Sequence, residues 1–357
     1  MSIEEMLNHS PYEDECSIKR NILIERLNLL TDIHYNGCNE YHQFIDLLHG
    51  GKTHYESIEE VPFLPVNIFK KRELKSVPDK EVFKTMTSSG TTGQHVSKIF
   101  LDKTTANYQQ KVLTKIVSEY TGHSRMPMII LDCPSVLKNR NMFSARGAGI
   151  LGFSLFGSKK IFAFTDEMEL NLTEIKDFLK KYEGQTIFLF GFTYMIWQYF
   201  YKKLVEINEY LPLEKGVLIH GGGWKKLAGE AVSKEKFKEC LNSVCGITSV
   251  HDYYGMVEQT GCIYMECECG HLHASIFSDV LIRNMRDFSV CQNGEPGVIQ
   301  VLSALPASYP GHSILTEDIG RVLGEDDCPC GRKGKYIEIY GRMKNAEIRG
   351  CSDTFER

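Results

Sequence analysis

The chain has 357 residues, 42% hydrophobic and 24% charged, with a formal net charge of −5. This is the composition of an ordinary globular protein longer than one typical domain. It argues against a nucleic-acid partner, which would call for a basic face. The N-terminus, MSIEEMLNHSPYEDEC, is acidic and lacks an apolar core, so no secretory signal is read there. The longest uncharged stretch, Thr186 to Tyr201, is too short and too aromatic for a membrane span. A cytoplasmic protein is expected, and disulfides among its 12 cysteines are not.

In chain order, residues 12–60 read as helical. Apolar positions recur at helical spacing through IKRNILIERLNLLTDI, and YHQFIDLLH is a second short helix. The proline-punctuated segment VPFLPVNIFKK follows. From Val82 onward apolar strands alternate with amphipathic helices. MPMIILDCP reads as a strand and DEMELNLTEIKDFLKKY as a helix. TIFLF is a strand followed by a turn at Gly191 and a helix. GVLIHGGG is a strand running into a glycine turn, and SKEKFKECLN is a helix. Such alternation predicts an α/β core with a largely parallel sheet. After about Ile276 the strands DVLIRNM, GVIQVLSAL and KYIEIYGR follow closely, which predicts an antiparallel, β-rich region. The expected organisation is a helical N-terminal segment over 1–80, an α/β core over 81–275 and a β-rich subdomain over 276–341.

One loop stands out. VFKTMTSSGTTGQHVSK ends a strand, runs through hydroxyls and glycines, and reaches Lys98. Glycines let the backbone approach a ligand, and successive N–H groups can cradle phosphate oxygens. The hydroxyls of Ser88, Ser89, Thr91 and Thr92, with Gly90 and Gly93, make a candidate phosphate loop, and Lys98 could neutralise a leaving pyrophosphate. The spacing is not that of the Walker loop; the alternative is a plain polar turn.

TSSGTTGQ resembles the phosphate loop of the acyl-adenylate-forming superfamily, whose members include acyl-CoA synthetases and firefly luciferase. The resemblance implies ATP-dependent activation of a carboxylate, and further matches follow in order. HDYYGMVEQ resembles the family's YGxTE signature, which implies Tyr254 and Gly255 at the adenine and Glu258 on a magnesium ion; Val257 stands in place of the threonine. HGGGW resembles the glycine turn beneath the adenine, implying Gly221 and Gly222 as binding residues. TEDIG resembles the TGD segment, with Asp318 at the ribose hydroxyls. GRMKN resembles the GRxKD hinge, with Arg342 also facing the ribose and Asn345 where an aspartate is common.

Two cysteine clusters remain. ECECGHLH carries Cys267, Cys269, His271 and His273, and DDCPCGRK carries Cys328 and Cys330. Two CxC pairs, each followed by glycine, read as two halves of a closed, structural zinc site with Cys267, Cys269, Cys328 and Cys330 as ligands. His273 is held in reserve, because it matches the GLH motif of the phenylacetate-CoA ligase branch; free buried thiols are the alternative. On the acyl side, NMFSARGAGILGFSLFG and GFTYMIWQYF supply small and aromatic residues for an apolar channel or for plain core. Arg146 needs a partner there, whether a ligand carboxylate or an internal acid.

As a whole the chain resembles the LuxE-type acyl-protein synthetases, through VPFLPVNIFK, TSSGTTGQ, FSARGAG, YGMVE and the tail. Superfamily relatives continue well past the hinge into a mobile C-terminal domain, whereas here only residues 343–357 follow Arg342. Residues 342–357 therefore read as a hinge remnant and a tail. The resemblance implies that Cys351 accepts the acyl group as a thioester, for a long-chain fatty acid, and hands it to an acyl-CoA reductase-like or transferase partner. An extended segment from Arg342 to Cys351 reaches up to ~30 Å at roughly 3.3–3.6 Å per residue. Two other readings stand beside this one: an acyl- or aryl-CoA ligase completed by another chain, and a non-catalytic, zinc-stabilised binding module.

Overall fold

The computed structural model describes residues 1–88, 96–137 and 145–343. The described residues divide into two compact units, Val117–Tyr254 and a second made of Met1–Ile116 with the described residues from Gly255 on.

The Val117–Tyr254 unit is built on five parallel strands. Gly157–Phe162, Met126–Leu131, Phe188–Phe192, Val217–Gly221 and Ser249–Tyr254 lie side by side in that spatial order. Met126–Leu131 and Phe188–Phe192 are buried at every position, as expected of central strands covered on both faces. The chain makes its first crossover to one side of Met126–Leu131 and its later ones to the other. The sheet therefore has a topological switch point, and ligands of such folds bind at the carboxyl ends of the strands. Gly191 is a strand residue and not the expected turn. A Cβ there would lie 2.8 Å from the Leu131 side chain, so the glycine serves close strand approach. The following helix passes through a π-helical turn over Ile196–Tyr201. The helix expected over DEMELNLTEIKDFLKKY is shorter, Leu172–Lys181, because Met168 takes a left-handed conformation and Asn171 caps the N-terminus at the Glu174 N–H. Lys234–Cys245 begins where Ser233 accepts from the Lys236 N–H at 3.2 Å and ends at Gly246, φ 68°.

The second unit carries the β-rich region. Its antiparallel sheet runs, in spatial order, Ser278–Arg283, Gly297–Ser303, Ser313–Glu325, Lys335–Arg342, Leu272–His273 and Tyr264–Glu266. Lys84–Thr87 and Lys98–Leu101 form a separate hairpin. The helical N-terminus resolves into Cys16–Gly37 and Asn39–His49. The first of these buries an unusual polar face. Lys19 Nζ donates to the Ala274 carbonyl at 3.0 Å, Arg26 Nε to Ala304 at 2.9 Å, and His34 Nε2 lies 3.0 Å from the Pro306 carbonyl. Each satisfies a carbonyl outside the strand ladders, where a buried acceptor without a donor is costly. Helix Lys103–Thr121, with buried Val112, Ile116 and Val117, was not anticipated from sequence; its first turns are threonine- and glutamine-rich and mask the apolar period. Among the described residues no helix is long and apolar enough to cross a membrane.

His312 is fully enclosed in the second unit. Its ring stacks on His34 with centroids 4.9 Å apart, and its Nε2 lies 3.1 Å from Thr31 Oγ1. Burial, and then repulsion from Arg26, pushes its pKa down to about 3; burial and His312 likewise push His34 well down. The unfolded chain, with histidines near ~6.5, takes up these protons first. Stability from this pair is complete above about pH 6.5 and is lost as pH falls toward about 3. We expect His312→Asn to flatten the decline of the urea midpoint between about pH 7 and about pH 4. An unchanged slope would remove His312 as its source.

Candidate active site

In the Val117–Tyr254 unit the functional candidates gather at the carboxyl ends of the strands. Gly221 closes strand Val217–Gly221, and Gly222 turns with φ 79°. A Cβ on Gly221 would sit 2.5 Å from the Tyr253 ring, so that ring lies flat against the glycine backbone. Tyr253 also meets Phe153, centroids 5.2 Å apart, and Phe190 at 6.4 Å. The next residue on the strand, Tyr254, projects to the opposite face and is part-exposed. Sequence reading singled out Tyr254 and passed over Tyr253, although the doubled tyrosine at a strand end was the available signal. His220 is buried, with Nδ1 2.9 Å from Thr193 Oγ1 and 3.7 Å from Asp252 Oδ1.

Arg146 finds its partner inside the protein. Its Nε donates to Asp132 Oδ2 at 2.6 Å and its Nη2 donates to Oδ1 of the same carboxylate, both residues being buried. The two-pronged pair holds the arginine charged, against a burial that alone would lower its pKa. An internal acid, and not a ligand, is what this arginine grips. The glycines and phenylalanines around it are largely core: Phe153 stacks on Phe190 at 4.1 Å, and a Cβ on Gly149 would meet Phe192 at 3.1 Å.

In the second unit, Ser88 and Ser97 extend the hairpin ladder. The Ser88 N–H donates to the Ser97 carbonyl at 3.1 Å, and the Ser97 N–H donates to Ser88 Oγ at 2.9 Å. Ser88 thus anchors the base of the loop. Ser89, Gly90, Thr91, Thr92 and Gly93 lie outside the described residues. Lys98, exposed on the hairpin, pairs with Glu73 Oε1 at 2.8 Å and lowers that carboxyl's pKa. It opens on a cavity of about 370 Å³ that Lys70, Lys71 and Arg72 also line.

Glu258 sits on the single turn Val257–Gln259, 2% exposed. The turn is pinned from both sides: the Tyr309 hydroxyl donates to the Glu258 carbonyl at 2.8 Å, and the Gln259 amide donates to the carbonyls of Gly311 at 2.9 Å and Val301 at 3.1 Å. Asp318 lies on strand Ser313–Glu325 directly opposite Arg342, with Nε and Oδ1 3.7 Å apart. TEDIG therefore lies within a strand. Gly255 is exposed. Cys351 lies outside the described residues.

The cysteine clusters come together within this unit. One ligand atom from each of Cys267, His273, Cys328 and Cys330 lies within 4.8 Å of every other. Cys269, expected as a ligand, is exposed and outside this group; His273 occupies the fourth corner. The physical reason is where the chain reverses. Cys267 directly follows the strand Tyr264–Glu266 and is buried, Cys269 sits exposed in the turn beyond it, and the returning strand Leu272–His273 brings the imidazole back in.

Acyl-protein synthetases of the LuxE type have a family model that matches residues 4–357 of this chain. The chain belongs to that family. It is therefore an enzyme, a ligase of the acyl-protein synthetase class. A long-chain-fatty-acid–luciferin-component ligase of Vibrio harveyi is 26% identical over 335 residues, 89% of this chain and 83% of the relative. Its counterpart in Aliivibrio fischeri is 24% identical over 328 residues, 89% and 84% of the two chains. Among solved structures, 2-hydroxyisobutyryl-CoA ligase with 2-HIB-AMP and CoA in the thioesterification state has a TM-score of 0.72, at 15% identity, over 93% of this chain and 69% of that one. An open conformation of the same ligase has a TM-score of 0.70 over 91% and 70%. The expected fold, that of the acyl-adenylate-forming enzymes, is borne out.

In this synthetase the Gly221–Tyr253 contact leaves no room for a methyl group, whereas nothing lies within 4 Å of a Cβ on Gly223. Gly221→Ala is expected to lower stability by about 1–3 kcal/mol through overpacking. Gly223→Ala should stay within about 0.5 kcal/mol of the parent. Urea unfolding of both variants checks the contrast, and equal effects would refute the contact.

Proposed function

We propose that this synthetase activates a carboxylic acid of the long-chain fatty class with ATP and transfers the acyl group to its own Cys351. The substrate carboxylate attacks the α-phosphorus of ATP. The bond to pyrophosphate breaks, and acyl-AMP forms. The Cys351 thiol loses its proton to solvent, and the thiolate attacks the acyl carbonyl. The carbonyl–oxygen bond to AMP breaks, AMP leaves and a thioester remains. That thioester would serve a reductase or acyl transferase as acyl donor. The observation that carries this reading is the family match over residues 4–357, which spans every motif of the ordered set. The names of the Vibrio harveyi and Aliivibrio fischeri relatives support the long-chain substrate.

The residues take roles that suit their chemistry. Residues 88–93 would cradle the phosphates, Ser88 from the base of the loop, and Lys98 would receive the pyrophosphate from the rim of a cationic cavity. Gly221, Gly222, Tyr254 and Gly255 would hold the adenine. Asp318 would accept from the ribose hydroxyls while Arg342 steadies its carboxylate from the facing strand. Glu258 would hold Mg²⁺: an oxygen donor on a pinned turn fits a hard cation. When bound, that ion neutralises charge on the phosphates.

Two experiments test the reading. Cys351→Ser should keep acid-dependent ATP–pyrophosphate exchange and lose the hydroxylamine-labile acyl adduct seen by intact mass; an adduct that survives would move the acceptor elsewhere. Asp318→Ala removes a charged hydrogen bond to the nucleotide, a loss of about 1.5–3 kcal/mol. We expect the KM for ATP in the exchange assay to rise roughly 10- to 100-fold, and an unaltered KM would take Asp318 out of the site.

A further inference from the structure

The adenylation and acyl transfer proposed above assign no role to the Cys/His cluster. We propose that Cys267, His273, Cys328 and Cys330 form a structural zinc site of three thiolates and one imidazole. The spacing fits that ion. Tetrahedral bonds of ~2.3 Å to sulfur and ~2.0–2.1 Å to nitrogen set sulfur–sulfur distances near ~3.8 Å and sulfur–nitrogen distances near ~3.5 Å. Cys267 Sγ lies 3.9 Å from Cys328 Sγ, and Cys330 Sγ lies 3.4 Å from His273 Nε2. Three sulfurs and one nitrogen in a closed tetrahedron favour zinc over magnesium or calcium and leave no position for a reacting water.

The backbone is shaped for thiolates at two turns of the same design. Each turn is closed by a bond from the glycine N–H back to the first cysteine's carbonyl, Gly270 to Cys267 and Gly331 to Cys328, both at 2.9 Å. Both glycines are left-handed, φ 80° and 82°. These repeated turns hold the two cysteine pairs in the same local backbone geometry. His271 stands just outside, its Nδ1 3.3 Å from Cys328 Sγ, and serves as a donor to a bound thiolate.

The two arms are far apart in sequence, so binding closes a long loop. The Cys328 arm is already tethered at its outer end: the Asp326 carboxylate accepts from the Gly334 N–H at 2.8 Å and from the Cys16 N–H, and Arg332 grips Glu268 at 2.5 and 3.2 Å. Zinc would fasten the inner end, displacing three thiol protons to solvent as the thiolates form.

The test is the metal content of the full chain purified without chelator from zinc-supplemented culture. Elemental analysis should find about one zinc per chain. Replacement by Co²⁺ should give the visible absorption of a tetrahedral, sulfur-rich site. Cys269→Ser should retain the metal at parental affinity, whereas Cys328→Ser and His273→Ala should lose it in a competition with a chromophoric chelator. Because the latter two variants can unfold, the parent alone also decides: a folded chain with under about 0.1 zinc, and no cobalt spectrum, would overturn the site. A Cys267–Cys328 disulfide in its place would do so too. Loss of metal in Cys269→Ser with retention in His273→Ala would overturn the ligand set.

Discussion

The antiparallel register between Ser313–Glu325 and Lys335–Arg342 governs more of this molecule than any other pairing. At one end it sets Asp318 opposite Arg342, and at the other it sets Glu325 opposite Lys335. The turn between the strands carries Cys328 and Cys330. A slip of one residue would flip every side chain to the other face. It would separate Asp318 from Arg342 and turn the cysteines away from Cys267 and His273. Two irregularities, between Ile319 and Gly320 and between Val322 and Gly324, adjust the twist along the way. Gly320 sits where a Cβ would be 2.5 Å from the Glu338 carbonyl, so close backbone approach holds the register at that point.

A second constraint is the polar docking face of helix Cys16–Gly37. Lys19, Arg26 and His34 recur at roughly two-turn intervals and reach three separate main-chain carbonyls of the β-rich region. The same helix begins at Cys16, whose N–H is satisfied by Asp326 from the cysteine-bearing turn. Buried Asp279 belongs to this network as well. Burial alone would raise its carboxyl pKa, but Lys335 and Lys19 hold it down. Helix and sheet are thus joined by specific charges and donors in addition to apolar contact, which fixes one docking position among the many a greasy face would allow.

Much of the fold was legible in the sequence because its signals are local. The strands Met126–Leu131, Phe188–Phe192 and Val217–Gly221 announced themselves as short apolar runs between turn residues, and Ser233 marked a helix start three residues before its capped N–H. The misreadings were also local in origin. Gly191 resembles a turn glycine until the neighbouring Leu131 side chain is seen beside it, and a threonine-rich first turn concealed helix Lys103–Thr121. The candidate site was legible in part, as ordered motifs whose residue types suit the proposed chemistry: glycines for close approach, carboxylates for diols and cations, cysteines for a soft metal.

What the sequence by itself determined is the inventory and its order along the chain, and through these the family and the α/β character of the fold. Which side chains meet was decided by tertiary structure. Arg146 could have held a ligand or an internal acid, and Asp132 took it because the helix after strand Met126–Leu131 returns over that strand's end. Cys269 and His273 were both eligible as the fourth corner of the cluster; the turn after Tyr264–Glu266 leaves one exposed, and the returning strand carries the other in. Pairings of this kind depend on direction as well as identity. Direction is set by register and by the faces of strands, which a linear string of residues encodes only through the folded whole.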